Sequence, residues 1–293
     1  MATPAQWVEG ARLRTLPAAL SPVLAGTGVA VRAESFVWWK AVLALVVSLT
    51  LQVGVNYAND YSDGIRGTDE HRVGPLRLVG SAAATARQVK LAAFASFSVA
   101  AAAGVVLSAT TTWWLLLVGA CAIAAAWFYT GGDRPYGYRA LGEIGVFVFF
   151  GLVAVLGTTY VQTEGFGHGV GWAACGVGAL ACAILVANNL RDIPTDTATG
   201  KRTLAVVLGD GGARDLYAAL LAAAYGFLLA FALTETGWVL LGLVSVPLAA
   251  RAQVAVRRGQ TGPGLIPTLR DTGLTELVYA TGILVGLAVS TLS

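Results

Sequence analysis

The chain has 293 residues, of which 56% are hydrophobic and only 12% charged, with a formal net charge of +3 and a mean hydropathy of +0.70. A soluble domain carries about a quarter charged residues, so these values exclude a soluble globular protein and imply an integral membrane protein. The small net charge, spread over several loops, also argues against a nucleic-acid partner.

In chain order, the N-terminal segment carries Trp7, Arg12 and Arg14 ahead of the first apolar run. It lacks the short apolar core and small-residue cleavage site of a signal peptide, and reads as an interfacial segment. Nine apolar stretches of the length needed to span a bilayer, about 20 residues, then follow at 15–32, 39–58, 89–108, 112–130, 142–161, 170–190, 215–234, 237–256 and 272–291. The first is punctuated by Pro17 and Pro22. The 36 glycines favour close approach of helices, which in lipid replaces the hydrophobic drive of water. Cys121, Cys175 and Cys182 all fall inside spans, where thiols act as small apolar fillers. The expected fold is an all-α integral membrane bundle of about nine transmembrane helices around a central cavity opening near the cytoplasmic face. With no linker or low-complexity tract, residues 1–293 read as one membrane-embedded domain.

Orientation follows from charge. The N-terminus and the segments after the second, fourth, sixth and eighth spans hold 17 of the 19 Lys and Arg; only Arg32 and Lys40 fall on the other side. The positive-inside rule places the first group in the cytoplasm and the C-terminus outside, in a multi-pass protein of the cell membrane. The cytoplasmic connections are also the long ones, about 63–88 and 257–271, and long polar loops in compact proteins are usually functional.

Two similar acidic signatures stand about 130 residues apart, each at the cytoplasmic end of an apolar run. The first runs from Asn56 through Asn59 and Asp60 to Asp63. The second runs from Asn188 through Arg191 and Asp192 to Asp196. Carboxylates beside hydrocarbon are costly and mark function by default, and the pairing hints at an internal duplication. On a helix, Asn56, Asp60 and Asp63 share a face, with Asn59 beside Asp63. Pro194 predicts that the second helix ends near Asp192, with Asp196 curling back from the loop. Clustered carboxylates suit Mg²⁺, which a few acids and a substrate's phosphates hold together. The basic residues nearby, Arg66, Arg72 and Arg77 after the first set and Lys201 and Arg202 after the second, suit phosphate oxygens; the arginines equally suit topology or lipid headgroups. His71 and His168 have no evident partner.

These residues carry a resemblance. Asn59-Asp60-x-x-Asp63 and Asp192-x-x-x-Asp196 resemble the two metal–diphosphate motifs of the UbiA superfamily of intramembrane prenyltransferases. Arg72-Val-Gly-Pro-Leu-Arg77, Gly142-Glu143 and Gly200-Lys-Arg-Thr-Leu-Ala-Val resemble, within it, the subfamily that prenylates 1,4-dihydroxy-2-naphthoate in menaquinone synthesis. Many members carry a further Asp where this chain has Gly67, which leaves Asp69 as a possible metal ligand and the carboxylate count on that side open. The resemblance implies Mg²⁺-dependent transfer of a polyprenyl group from its diphosphate to the naphthoate ring, with loss of CO₂ to give demethylmenaquinol. Asp60, Asp63, Asp192 and Asp196 are then the metal ligands, for two ions bridged by diphosphate.

In that mechanism aromatic faces shield an allylic cation. Tyr129, Tyr136 and Tyr138 are candidates, along with Phe147, Phe149 and Phe150; the tyrosines equally suit membrane-interface anchoring. Glu143 either orients substrate and relays a proton, or is an acid favoured at a helix N-terminus. Two rival readings remain. One is a member of the same superfamily using another aromatic acceptor. The other is an ion-coupled transporter, although transporters place ion sites at mid-membrane and here both acidic sets lie at one face. The sequence carries no signal for an oligomeric state.

Overall fold

A computed structural model describes residues 2–67 and 76–292 of the chain; Asp69, His71 and Arg72 lie outside the described residues. A short helix, α1 (Pro4–Gly10), is closed at its start by a capping box between Thr3 and Gln6. It is followed by α2 (Pro17–Arg32), α3 (Trp38–Ile65), α4 (Ala86–Ala109) and α5 (Leu115–Phe128). A helix that changes pitch then comprises α6 (Gly142–Val146), a π segment (Phe147–Val153) and α7 (Ala154–Thr163). The long helices α8 (Val170–Ala198) and α9 (Leu204–Thr234) follow. A 3₁₀ run (Gly237–Ser245) leads into α10 (Val246–Arg257), and a 3₁₀ turn (Gly262–Leu265) into α11 (Ile266–Val289).

Seven of these helical stretches are long and apolar enough to cross a membrane. The other two expected spans are helices of 16 residues (α2) and 14 residues (α5). Large apolar side chains such as Leu117, Leu233 and Val244 stand exposed around the perimeter, as lipid contact requires. The interior is built on α8, 72% of whose apolar window is buried, against at most 50% for any other span. Its run of Ala and Gly explains why: without bulky side chains, neighbouring backbones come close. A Cβ on Gly151, in the π segment, would lie 2.6 Å from the Cα of Gly178 on α8. A Cβ on Gly282 of α11 would meet the backbone of Gly242 at 2.5–2.6 Å.

The helix α8 corrects one sequence expectation. It does not end near Asp192 but runs through Pro194 to Ala198, which makes Asp196 a helical residue. A proline removes one hydrogen bond to the carbonyl four residues earlier, and here the helix has only one more turn to run. The Thr195 hydroxyl donates to the Asp192 carbonyl at 3.0 Å, and further backbone bonds (Thr199 N–H to Thr195 O, Lys201 N–H to Asp196 O) close the end. The first signature also sits on regular helix, because α3 continues well past its apolar run to Ile65.

The two ends of the bundle differ in chemistry. At one, Lys40 donates to the Thr110 carbonyl at 3.1 Å and the Thr111 hydroxyl at 3.0 Å, with Glu164 at 3.9 Å. At the other lie both acidic signatures, α1, and the segment between α5 and α6.

The close approach of Gly151 and Gly178 generates a prediction. Gly151→Val should overpack this contact and destabilise the purified protein by about 1–3 kcal/mol, read as a lower midpoint of thermal unfolding in detergent. Gly226→Ala on α9, where an added Cβ meets nothing within 4 Å, should leave the midpoint unchanged or raised.

Candidate active site

A cavity of about 380 Å³ lies inside the bundle. Most of its wall is apolar and includes Val47, Leu107, Val118, Phe149 and Phe150, together with Gly104 and Gly119. Its polar lining comes from Asn56, Asn59, Asp63 and Arg77 on one side, and Asn188, Arg191 and Lys201 on the other. The π segment contributes to this wall: a wider helical turn sets Phe149, Phe150 and Val153 towards the cavity, consistent with the frequent use of π turns at functional sites.

The residues of the first signature divide by partner. Asn56 is buried and donates to the Ala11 carbonyl and the Thr15 hydroxyl, both at 2.9 Å. Asp60, fully buried, accepts the backbone N–H groups of Leu78 at 2.7 Å and Val79 at 3.0 Å. Asn59 and Asp63, one turn apart, face the segment between α5 and α6. There Asn59 accepts from the Thr130 hydroxyl at 2.8 Å, and Asp63 from the Tyr138 hydroxyl at 2.7 Å. Arg77 lies 4.0 Å from the other Asp63 oxygen.

The second signature repeats the division. Arg191 clamps the adjacent Asp192 carboxylate with two hydrogen bonds of 2.7 Å and also donates to Asn188 at 2.9 Å. Asp196 has Lys201 at 3.8 Å and the Thr203 hydroxyl at 3.5 Å. In each set the first Asp is bonded to backbone amides or an adjacent arginine, while the second combines a hydroxyl donor with a cation at 3.8–4.0 Å. Asp60, Asp192 and Asp196 lie behind the cavity wall rather than in its lining.

Tyr138 joins the two sets. Its hydroxyl is on Asp63, and its ring lies 5.0 Å from the Lys201 ammonium and 5.4 Å from the Arg66 guanidinium. A hydrogen bond from the Ala140 amide to the Arg202 carbonyl, 2.9 Å, holds the same segment against the connection between α8 and α9. Arg66 reaches the Thr130 and Gly132 carbonyls. Arg202 is exposed and does not line the cavity. Tyr129 and Tyr136 do line it, as an edge-to-face pair 5.4 Å apart. The Tyr136 hydroxyl donates to the Ala125 carbonyl at 3.0 Å, and burial pushes its pKa up to about 12. Glu143 is buried and accepts from Asn189 at 3.2 Å.

Electrostatically this end is made for cations. Asp63 and Asp196 sit in the last turns of α3 and α8, where the helix dipole is negative and disfavours an acid. Two carboxylates added to two negative helix ends form a hard-oxygen donor set suited to Mg²⁺. Among the described residues no three Asp, Glu, His or Cys side chains gather closely enough to enclose an ion by themselves. That fits Mg²⁺ held by one or two carboxylates and completed by substrate phosphates.

Sequence reasoning passed over four of these groups as site residues. Arg191 was visible inside the second signature, and Arg12 and Arg14 stood in the interfacial segment, but only the fold places them on the cavity wall. Thr130 had no sequence signal at all.

The UbiA prenyltransferase family matches the chain over residues 19–263. A protein of Mycobacterium tuberculosis named 1,4-dihydroxy-2-naphthoate octaprenyltransferase is 57% identical over 294 residues, covering 100% of both chains. Among solved structures, the apo UbiA homolog from Aeropyrum pernix superposes with a TM-score of 0.72 at 18% identity, covering 92% of this chain and 97% of the other. A UbiA homolog from Archaeoglobus fulgidus bound to GPP and Mg²⁺ superposes with a TM-score of 0.71 at 15% identity, covering 97% and 99%.

The pairing of Asp60 with two backbone amides yields a structural prediction. Asp60→Ala should leave the Leu78 and Val79 N–H groups without their acceptor, at a cost of about 1–3 kcal/mol. Hydrogen exchange should then accelerate at those amides while α8 retains its protection; unchanged exchange at 78–79 would show that Asp60 does not hold this segment.

Proposed function

The chain belongs to the UbiA prenyltransferase family, and on that premise we propose that it transfers a polyprenyl group from its diphosphate to 1,4-dihydroxy-2-naphthoate. The carboxylate leaves as CO₂, giving demethylmenaquinol for menaquinone synthesis. The name of the full-length relative from Mycobacterium tuberculosis supports both the acceptor and a long prenyl donor. One observation carries the reading. Two carboxylate–cation pairs, Asp63 with Arg77 and Asp196 with Lys201, stand at two helix ends joined through Tyr138, beside a largely apolar cavity.

In this reading Asp63 and Asp196, with Asp60 and Asp192, would hold Mg²⁺, expected as two ions, together with the diphosphate. Bound metal supplies Lewis-acid neutralisation of the charge that builds on the leaving diphosphate. Arg77 and Lys201 donate to the phosphate oxygens; the sequence motif adds Arg72 as a further phosphate ligand and Asp69 as a possible metal ligand. Tyr138 and Thr130 orient Asp63 and Asn59. Arg66 holds the segment that carries them, and Arg202 holds it through its backbone. Tyr129, Phe149 and Phe150 exclude water and present ring faces to the developing allylic cation. Tyr136 supports Tyr129 from behind. Asn188 and Asn189 extend the polar wall, with Asn189 holding Glu143 ready to take up or return a proton. The apolar cavity receives the prenyl chain. The N-terminus and the site face the cytoplasm, and the C-terminus lies outside.

Membranes containing the protein, incubated with a polyprenyl diphosphate, Mg²⁺ and a panel of aromatic acceptors, test this directly. Only 1,4-dihydroxy-2-naphthoate should be consumed, chelation of divalent ions should stop turnover, and added Mg²⁺ should restore it. Consumption of hydroxybenzoate or homogentisate instead would overturn the acceptor assignment. Solute flux with no prenylated product would favour a transporter.

Single substitutions separate the roles. Asp63→Ala and Asp192→Ala should each lower kcat by roughly 100-fold or more, the scale for losing a group that stabilises transition-state charge, with membrane insertion intact. Lys201→Ala should act chiefly on the KM for the prenyl diphosphate, raising it about tenfold or more through loss of a charged hydrogen bond. An unchanged KM would remove Lys201 from the diphosphate site.

A further inference from the structure

The cavity wall carries more positive charge than the diphosphate site uses. Arg77 and Lys201 each face a carboxylate, and Arg191 is committed to Asp192. Two further arginines, Arg12 and Arg14, reach the wall from the opposite direction, on the segment between α1 and α2. Among the described residues neither has a carboxylate within ion-pair distance. Arg12 donates only to the Asn56 carbonyl, at 3.4 Å. The Arg14 side chain is exposed, and its hydrogen-bonding fork has no protein partner among the described residues.

The segment that presents them is fixed. Thr15 accepts from Gln52 at 2.8 Å and from Asn56 at 2.9 Å, and donates to the Arg12 carbonyl at 2.9 Å. Arg12 itself adopts φ +56°, a left-handed conformation that is unfavourable for a residue bearing a Cβ. Such strain persists only where surrounding contacts impose it. Arg14 and Arg191 are close enough for their charges to oppose one another: partial burial and the Arg191 charge both lower the Arg14 pKa, against a smaller opposing effect of Glu9 on α1. Where the N-terminal segment meets α8, Arg14 is therefore a positive charge with no carboxylate within ion-pair distance among the described residues, beside an apolar space.

We propose that Arg14, with Arg12 beside it, binds the carboxylate of the aromatic acceptor. The inference rests on the function proposed above, which requires two anionic ligands in one cavity. The diphosphate is drawn to Asp63 and Asp196 through metal, a mode that uses carboxylates and point charges. The other anion is a planar carboxylate on a flat ring, and a guanidinium fork matches a carboxylate with two parallel hydrogen bonds. Ala18 and Leu269 line the cavity, and a Cβ added at Gly273, one turn beyond Leu269 on α11, would lie 3.7 Å from the Arg14 carbonyl oxygen. This corner thus offers apolar contact for the ring next to the charge. Because the carboxylate takes no part in breaking the prenyl–diphosphate bond, the contact is the same before and during that step and acts on KM rather than kcat.

The test compares 1-hydroxy-2-naphthoate with 1-naphthol, which differ by the carboxylate alone, as ligands of the purified full-length protein. The wild type should bind the acid at least tenfold more tightly than the naphthol. Arg14→Gln should abolish that preference by weakening the acid alone, and Arg14→Lys should restore part of it. In turnover, Arg14→Gln should raise the KM for 1,4-dihydroxy-2-naphthoate at least tenfold and leave the KM for the prenyl diphosphate within twofold. An undiminished preference for the acid in Arg14→Gln, or an equal rise in both KM values, would overturn the inference. Failure of the wild type to prenylate the naphthoate would instead overturn the proposed function, and the binding comparison separates the two failures.

Discussion

A carboxylate at the edge of a hydrocarbon layer must be compensated, and the end of the bundle that carries both acidic signatures is organised around meeting that requirement four times. Asp60 is met by backbone amides, Asp192 by the arginine next to it, and Asp63 and Asp196 by cations held farther away. The difference matters. The short pairings of Asp60 and Asp192 fix the surrounding backbone, whereas Asp63 and Asp196 stand at two helix ends whose dipoles add to their negative charge.

The packing that brings the two helix ends together is of a different kind. It depends on what is missing from α8 and its neighbours, namely side-chain bulk. Where glycine faces glycine, as at Gly151 and Gly178, a π segment and an α-helix approach to backbone contact, and the wider π turn places aromatic rings on the cavity side. The apolar chamber and the charged end are therefore set by the same helices, one through their small residues and the other through their final turns.

Much of this was legible in the sequence. Long apolar runs fixed the helices, and the repeated Asn-x-x-x-Asp spacing located both ends of the site, because helical periodicity brings i and i+4 together regardless of context. The sequence was less informative wherever a partner comes from elsewhere in the chain. Nothing about Thr130 or Tyr138 foretells that they touch Asn59 and Asp63, and the division of labour between Asp60 and Asp63 depends on a loop eighteen residues away. Pro194 misled for a related reason. Its intrinsic effect is local, and a helix with one turn left to run tolerates it, helped by the Thr195 hydroxyl.

The N-terminal segment has a consequence for the order in which this protein is made. Residues 7–15 leave the ribosome before α3 does, yet several of the hydrogen bonds that seat them come from α3: the Trp7 carbonyl on the Tyr57 hydroxyl, the Ala11 carbonyl on Asn56, and Thr15 on Gln52 and Asn56. That segment has no place to settle until two spans have been threaded into the bilayer, and its neighbours on α8 and α11 arrive later still. This part of the chamber's rim is consequently synthesised before the helices it rests on and assembles after them. A nascent chain already anchored in the membrane remains without a closed chamber until residues 7–15 fold back onto it.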